Sequence, residues 1–420
     1  MDQLNIDKNM WNKVQASQSE AEKVIRPSLT YAQDAWRRLR KNKLAVFGLL
    51  IVVLFCLIAA ILPSFYPYSF SDQELTFNNT PPKLEIFKID EENYVYVNKD
   101  YKIINTTGEG ELLSAGILVN DDKANRTYEY DVNGHIVAVD YSVNLENVQE
   151  YKELQKNAKK DPSINLAKER RAIDKKPTFQ LFVDGKEMQI EKTIRNKTYI
   201  WGSDTLGRDL FIRVVYGARI SLLIGFVAAF VNLIIGVIYG GISGYLGGKV
   251  DNAMMRIVDI ISTIPMILYV ILLMVVMGPG LNTIIIAISI TYWVNMARIV
   301  RGQVLQLKEQ EYVLAAKSLG ASLPRIMFKH LIPNAMGPIM VALTMQIPNA
   351  IFNEAFLSFI GLGVSAPQAS WGTLCQDALS GLYTYPYQLF YPALAISITL
   401  ISFNLLGDGL RDALDPKLRK

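Results

Sequence analysis

The stretch that decides the fold covers residues 311–334 and reads EYVLAAKSLGASLPRIMFKHLIPN, a comparatively polar island between two strongly apolar segments. Apolar and small residues recur at helical spacing in both of its halves. The first stripe is Tyr312, Ala315, Ala316, Leu319 and Gly320, and the second is Leu323, Ile326, Met327, His330 and Leu331. Gly320 can adopt the positive φ that ends a helix, and Pro324 suits the first turn of the next one. The spacing therefore predicts two short amphipathic helices joined by a bend.

Two interpretations of this island are compatible with its spacing. An apolar face without an obvious partner suggests a docking surface, and the small residues Ala315, Ala316 and Gly320 would allow close approach of another backbone. An ordinary loop that packs on the ends of its own helices would show the same periodicity. The spacing alone does not separate these two interpretations.

The composition is typical of a membrane protein. Half of the 420 residues are hydrophobic, and the mean hydropathy is +0.18. The net charge of +4 is small and the basic residues gather beside apolar stretches, so we expect no nucleic-acid partner. The two cysteines, Cys56 and Cys375, and the two histidines, His135 and His330, are far apart in sequence. We therefore expect neither a disulfide framework nor a metal site.

Six apolar segments are long enough to cross a bilayer. They are residues 44–62, 220–248, 260–277, 281–297, 335–352 and 389–406. The second contains Gly236, Gly240 and Gly244, the spacing of small residues that lets two membrane helices approach closely. The sequence thus predicts a polytopic all-α membrane protein with six transmembrane helices.

The basic residues predict the orientation of these spans. Five of them precede the first span, namely Arg37, Arg38, Arg40, Lys41 and Lys43, which places the N-terminus in the cytoplasm by the positive-inside rule. Six crossings return the C-terminus, with Lys417, Arg419 and Lys420, to the same side, and the island, also basic, faces the cytoplasm too. Arg208, Arg213 and Arg219 would lie outside, beside a long loop where the rule counts least. The predicted division is a cytoplasmic tail 1–43, a first span 44–62, an extracytoplasmic domain 63–200 and a membrane core 201–420.

Residues 63–200 differ in character from the rest. They hold about half of the charged residues and no segment that could span a membrane. Residues 84–89 and 93–97 have the pattern of strands, and Asn133-Gly134 and Asp184-Gly185 are hairpin signals. The lysine- and glutamate-rich run 150–171 predicts some helix. We interpret this region as a β-rich insert between the first and second spans, although its charge density also fits a partly disordered loop.

The sequence contains no catalytic motif of its own. The nearest approach to a phosphate-binding loop, residues 243–250 (SGYLGGKV), lacks the first glycine and the final hydroxyl. Glu354 and Asp377 are candidates for a substrate path, and a structural hydrogen bond at a helix end is the alternative for each. Because the chain lacks this nucleotide-binding motif, energy from ATP would have to be supplied by a separate protein. The island is the natural surface for such a protein to bind.

The island resembles the cytoplasmic coupling loop of permease subunits of bacterial ABC importers. The family pattern is Glu-Ala-Ala, three residues, Gly, nine residues, Ile, one residue, then Leu-Pro. Ala315, Ala316, Gly320 and Pro333 match it, whereas Leu314 replaces the glutamate and His330 the isoleucine. Flanking segments resemble the C-type subunit of the dipeptide, oligopeptide and nickel branch: 202–209 (GSDTLGRD), 216–221 (YGARIS), 354–364 (EAFLSFIGLGV) and 403–416 (FNLLGDGLRDALDP). The likeness is close over 201–420 and loose over 30–62.

The resemblance implies a permease subunit of an ATP-driven peptide importer, forming half of a translocation pathway in the bacterial cell membrane. Its expected partners are a second permease subunit, two cytoplasmic ATPase subunits that hold ATP and Mg²⁺, an extracellular peptide-binding protein and membrane lipid. It implies neither a catalytic residue nor a cofactor in this chain. A coupling loop at 298–334 would contact the ATPases through Glu311, Tyr312, Ala315, Ala316, Gly320, Ile326 and Pro333. The alternatives are a nickel importer of the same family and a membrane-anchored sensor that uses residues 63–200.

Overall fold

The computed structural model describes residues 31–159, 161, 165–173 and 176–414. Most of the predicted tail 1–43 and the basic residues Lys417, Arg419 and Lys420 lie outside these ranges. The chain is mostly helical and carries a β-rich insert, as predicted from the sequence. The insert follows the first long apolar helix in the sequence and precedes the second.

The described helices begin with α1 (Tyr31–Lys41), which is polar, and α2 (Lys43–Ile61), which is apolar. Asn42 starts α2, because its side chain accepts a hydrogen bond from the backbone N–H of Ala45 at 3.2 Å. After α2 a short 3-10 turn, Leu62–Ser64, leads into the insert.

The insert is a sandwich of two five-stranded antiparallel sheets. Its strands are β1 (Lys83–Lys88), β2 (Tyr94–Val97), β3 (Ile103–Thr106), β4 (Leu112–Ala115), β5 (Ile117–Asp122), β6 (Thr127–Val132), β7 (His135–Asp140), β8 (Gln180–Val183), β9 (Lys186–Met188) and β10 (Lys192–Arg195). The first sheet has the order β10-β1-β2-β3-β4 and the second β5-β6-β7-β8-β9. Val95 and Ile103 of the first sheet pack against Val137, Val139 and Leu181 of the second.

Both predicted hairpins of the insert are confirmed. Asn133 and Gly134 join β6 to β7 with φ of 54° and 90°, and Asp184 and Gly185 join β8 to β9 with φ of 47° and 81°. Positive φ at both central residues is the requirement of the tight turn that matches strand twist. Between β7 and β8 lie the helices α3 (Ser142–Ala158) and α4 (Leu166–Ile173), so the run 150–171 is helical in part.

The remaining helices follow the insert. They are α5 (Leu210–Leu246), α6 (Gly248–Thr263), α7 (Met266–Met277), α8 (Leu281–Leu307), α9 (Glu311–Ser318), α10 (Leu323–Ile326), α11 (Ile332–Phe359), α12 (Trp371–Asp377) and α13 (Tyr387–Leu414). A π-helical turn, Met327–Leu331, connects α10 to α11. Within the described residues, five helical segments are long and apolar enough to cross a membrane. They include α2, α5, α8, α11 and α13.

The predicted span at 260–277 is not one straight helix. It is divided between α6 and α7, which meet at a bend of 81°. Pro265 disfavours helical backbone at the residue before it, and Ile264 accordingly adopts the extended values φ −83° and ψ 122°. The described part of the chain therefore offers five candidate spans, or six if the bent pair crosses once.

The glycines of α5 form a close contact with α8. A Cβ atom on Gly240 would lie 2.2 Å from the carbonyl oxygen of Ala297, and one on Gly236 would lie 2.5 Å from Cβ of Met296. Neither position has room for a methyl group. The spacing of small residues in the sequence thus marks the place where two long helices approach most closely.

Candidate coupling surface

The first helix of the island, α9, presents apolar side chains to solvent. Val313 alone is buried in this helix, at 2% exposure. By contrast, Leu319 just beyond the helix end is 88% exposed, and Tyr312 and Leu314 are 40% and 46% exposed. We call the exposed residues Tyr312, Leu314, Ala315, Leu319 and Gly320 the coupling surface. Exposed large apolar side chains that cluster in this way are typical of a protein-binding site.

The bend after α9 depends on Gly320. Its φ is +77°, in the left-handed region that glycine adopts at little cost. The N–H of Gly320 donates to the carbonyl of Lys317, and the N–H of Ala321 donates to that of Ala316, both at 3.0 Å. This is the Schellman arrangement of hydrogen bonds at a helix end. A Cβ atom on Gly320 would meet nothing within 4 Å, so the position faces open space.

The second half of the island packs against the chain's own helices. Ile326 and Leu331 are 0% exposed and Met327 is 4% exposed. They share a core with Val300 and Val304 of α8, and with further residues of α8 and α11. The two interpretations of the island therefore apply to different halves: the first stripe is available to a partner, and the second is covered by the chain itself.

The predicted coupling residues divide in the same way. Those that are exposed or half-buried are Glu311, Tyr312, Ala315, Ala316, Gly320 and Pro333. Ile326 is fully buried beneath them. Ile326 can support the coupling surface from behind, whereas a direct contact with a partner would require the island to open.

An ion pair fixes the end of α8 from which the island starts. Arg301 of α8 donates two hydrogen bonds to the carboxylate of Asp251 in α6, at 2.5 and 2.6 Å. Ser243 of α5 donates to the same carboxylate at 2.5 Å. Three helices are thus joined at one buried aspartate, a link that the sequence pattern did not reveal.

A second group of charges lies at the insert end of the bundle. Nε of Arg208 is 2.6 Å from Oδ2 of Asp204, and Nε of Arg213 is 3.4 Å from the same oxygen. Nη2 of Arg213 is 3.6 Å from Oδ2 of Asp377, the last residue of α12. The side chains of Arg208 and Arg213 are only 8% and 2% exposed. Both arginines and Asp204 are thus enclosed, whereas the side chain of Asp377 is 49% exposed. The extracytoplasmic position expected for these arginines stays a prediction.

The carboxylates at this end have altered acidity. Partial burial raises the pKa of Asp377, whose side chain is 49% exposed, while the charges of Arg213 and Arg208 act in the opposite direction. Burial also raises the pKa of Asp209 to about 6. Asp209 caps α5 by accepting a hydrogen bond from the N–H of Phe211 at 2.7 Å, and it accepts another from the hydroxyl of Tyr66 at 2.7 Å.

Glu354, the other candidate for the substrate path, is enclosed. Its side chain is 0% exposed, and its carboxylate accepts hydrogen bonds from Ser221 of α5 at 2.9 Å and from Ser358 of α11 at 2.7 Å. Ser370, which caps α12, lies 3.3 Å from the Ser358 hydroxyl. The carboxylate therefore joins α11 to α5 and is connected to α12 through Ser358. A role of Glu354 or Asp377 in a substrate path stays a prediction.

Two family descriptions match parts of the sequence. The "Binding-protein-dependent transport system inner membrane component" matches residues 217–420, and the "N-terminal TM domain of oligopeptide transport permease C" matches residues 30–82. The oligopeptide transport system permease protein OppC of Bacillus subtilis is 42% identical over 99% of each chain. The chain belongs to this permease family.

Relatives of the permease differ in how much of it they match. The dipeptide transport system permease protein DppC of Bacillus subtilis is 40% identical over 97% of the permease and 92% of its own length. OppC of Haemophilus influenzae is 47% identical over 221 residues, which is 53% of the permease and 71% of that relative. Because 416 residues align with OppC of Bacillus subtilis, that match includes the insert. The permease is a non-catalytic subunit, as its family is.

Proposed function

We propose that the permease forms one half of the membrane pathway of an ATP-driven peptide importer. Its relatives are named for oligopeptide and dipeptide transport, which favours peptides over nickel as the substrate class. Membership of a permease family over nearly the whole chain sets aside the sensor hypothesis. The observation that carries the proposal is the coupling surface, with Leu319 88% exposed at the end of α9.

The proposed topology has six spans, with the bent pair α6 and α7 counted as one crossing. The first span would be 44–62, the extracytoplasmic insert 63–200 and the permease core 201–420. Basic residues beside α1 and the island support a cytoplasmic position for both, in a bacterial cell membrane. The insert would then face the outside, where a peptide-binding protein arrives.

The coupling loop, residues 298–334, would transmit the conformational change of the ATPase subunits to the permease. Two cytoplasmic ATPase subunits hold ATP and Mg²⁺, and one of them receives α9 in a cleft. Leu314 stands where the family pattern has glutamate, so the contact would depend on apolar packing around Ala315, Leu319 and Gly320. Glu311, Tyr312, Ala316 and Pro333 would lie at its margin.

The buried half of the island would transmit the motion. Ile326, Met327 and Leu331 are packed into α8 and α11, so a displacement of α9 moves these long helices with it. Packed elements shift between discrete arrangements instead of deforming continuously. If the ATPases bind one arrangement more tightly when they hold ATP, their affinity difference drives alternating access with a second permease subunit.

Reconstitution tests this proposal directly. The permease, its partner permease and the ATPases would be purified together and placed in proteoliposomes with peptide-loaded or empty binding protein. We expect ATP hydrolysis to rise with the loaded protein and labelled peptide to accumulate inside. Purification of the permease from native membranes without any ATPase would contradict the proposal. Uptake of Ni²⁺ in place of peptide would assign the permease to the nickel alternative.

A further inference from the structure

The insert reaches across to the loop that joins α12 to α13, residues 378–386. Nζ of Lys99, between β2 and β3, donates a hydrogen bond to the carbonyl oxygen of Thr384 at 2.6 Å. The same ammonium lies 5.4 Å from the centre of the Tyr385 ring. Arg170 of α4 places its guanidinium carbon 5.7 Å from the centre of the Tyr383 ring. Two cations from separate elements of the insert thus engage the same loop through charge and aromatic faces.

Both ends of this loop are fastened to the membrane part. At its C-terminal end the hydroxyl of Tyr387 lies 3.0 Å from the carbonyl oxygen of Ser203, and Nε2 of Gln388 donates to the same oxygen at 3.0 Å. At its N-terminal end Asp377 pairs with Arg213. The middle is different, since Tyr383 is 87% exposed. The backbone of this part is held by local turns, in which the N–H groups of Thr384 and Tyr385 donate to the carbonyl of Gly381. Lys99 and Arg170 add contacts that tie these turns to the insert.

The loop connects the insert to the buried charges. Asp377 directly precedes residue 378, and its partner Arg213 also lies 3.4 Å from Asp204. A movement of the loop would change the distance between Asp377 and Arg213, which is already longer than a direct hydrogen bond at 3.6 Å. Because Arg213 lies in the first turns of α5, a candidate membrane span, such a change would reach the end of that helix.

We propose that Lys99 and Arg170 are positioning residues that make the insert and the 378–386 loop move as one body, which carries motion at the outer surface to the Asp377–Arg213 pair. This inference rests on the proposed function, because it concerns a step in ATP-driven import. The binding protein would displace the insert when it docks, and the 378–386 loop would transmit this displacement to Asp377 and Arg213.

The first test removes the two cations. Lys99→Ala combined with Arg170→Ala should lower the stimulation of ATP hydrolysis by peptide-loaded binding protein at least about fivefold, the scale of a modest coupling between sites. Hydrolysis without the binding protein should stay unchanged, because the coupling surface is untouched. The single variant Lys99→Arg keeps the positive charge and should retain much of the stimulation that the double variant loses. Lys123→Ala is the matched control, since this insert lysine is 84% exposed. Full stimulation in the double variant would overturn the proposal.

The second test joins the insert to the loop covalently. Cysteines replace Lys99 and Thr384 in a background that carries Cys56→Ala and Cys375→Ala, and a short bis-methanethiosulfonate reagent links them. If insert and loop move as one body, the linked importer should transport peptide at least as well as the unlinked cysteine variant, because the link replaces the contact that Lys99→Cys removes. Uptake that stops on linking and returns on reduction would show that the two must separate, and would overturn the proposal.

The two proposals fail in different ways. If the unsubstituted importer hydrolyses ATP but takes up no peptide, the proposed function is wrong. If it takes up peptide and the double variant does so with the same stimulation, only the positioning role is wrong.

Discussion

The two ends of the permease differ in which kind of side chain they hold in an unfavourable environment. At the island end, apolar side chains such as Leu319 and Tyr312 are exposed, although water is an unfavourable environment for them. At the insert end, the charged side chains of Arg208 and Arg213 are enclosed, although burial of charge is unfavourable as well. Each arrangement costs free energy unless a partner compensates for it.

The location of that partner is what distinguishes the two ends. The buried arginines find theirs within the same chain, in Asp204 and Asp377. For Leu319 nothing in the described part of the chain covers the side chain, and the partner that we propose for it is an ATPase subunit. Substitutions at the insert end should therefore change stability, and substitutions on the coupling surface should change association. The predictions below test this division.

The largest expected effect is the loss of Arg213. Arg213→Ala leaves the enclosed Asp204 and the half-exposed Asp377 with only part of their compensating charge, which should reduce the free energy of unfolding by about 4 kcal/mol. The midpoint of thermal denaturation of the detergent-purified permease measures this change. Arg219→Ala is the control, because Arg219 is exposed on the same helix. Equal midpoints for the two variants would contradict the structural role of the buried pairs.

A somewhat smaller effect is expected beneath the coupling surface. Ile326 is 0% exposed, so Ile326→Ala should leave a cavity and reduce the free energy of unfolding by about 3 kcal/mol. Leu319→Ala, which removes a similar volume from an 88% exposed site, should leave stability unchanged. Denaturation of both variants in the same detergent compares them. If Leu319→Ala were as destabilising as Ile326→Ala, the two halves of the island would not differ as described.

On the coupling surface itself the expected change is in binding. Leu319→Glu places a charge in an apolar contact and should weaken ATPase binding by about 2 kcal/mol, roughly 30-fold in affinity. Titration of purified ATPase onto the permease in nanodiscs measures the affinity. Leu319→Met preserves the apolar surface and should bind as the unsubstituted permease does. Unaltered affinity for the glutamate variant would place the docking contact elsewhere.

The smallest expected effect on stability comes from the exposed contacts of His135 with two aspartates. His135 lies between Asp184, at 3.2 Å from Nδ1, and Asp90, at 3.3 Å from Nε2, and joins turns of the two sheets. The hydrogen bond to Asp184 is the main cause that raises the pKa of His135 above 6.5. Since the folded state binds the proton more tightly, this stabilisation is complete below pH 6.5 and disappears as pH rises through the raised pKa.

Hydrogen exchange can detect this dependence. After correction for the intrinsic rate, amides of the sheet that contains β7 should be slightly better protected at pH 6 than at pH 8. His135→Gln should remove the difference. If the pH dependence of amide protection persisted in His135→Gln, titratable groups other than His135 would be its cause. Because the pair is exposed, the effect should be far smaller than that of Arg213→Ala.

Short-range features of this fold could be predicted from the sequence because they are set by local backbone chemistry. Gly320 ends α9, and the turns at Asn133-Gly134 and Asp184-Gly185 form the hairpins that their residue types require. The long apolar helices followed from hydropathy. The division at Pro265 was missed because uninterrupted hydropathy outweighed the effect of proline on Ile264.

Contacts between distant segments could not be predicted in this way. Periodicity identified both stripes of the island, but it does not say which one the rest of the chain covers. That depends on α8 and α11, whose packing is a property of the whole bundle. The same limit applies to Glu354, whose partner Ser221 is 133 residues away, and to the pairing of Arg213 with Asp377. A single sequence contains the residues of such a group without showing that they meet.

Co-purification of the ATPase with two variants at Gly320 tests the central claim most directly. Gly320→Glu places a charge on the coupling surface, whereas Gly320→Asn keeps a residue that tolerates the positive φ without adding charge. Both side chains project into open space, and the backbone strain at positive φ costs at most about 2 kcal/mol in either variant. We therefore expect both variants to reach the membrane in comparable amounts. We predict that the glutamate variant loses the ATPase and peptide uptake while the asparagine variant retains both. Normal ATPase recovery and uptake with Gly320→Glu would contradict the claim that this surface couples the permease to its ATPase.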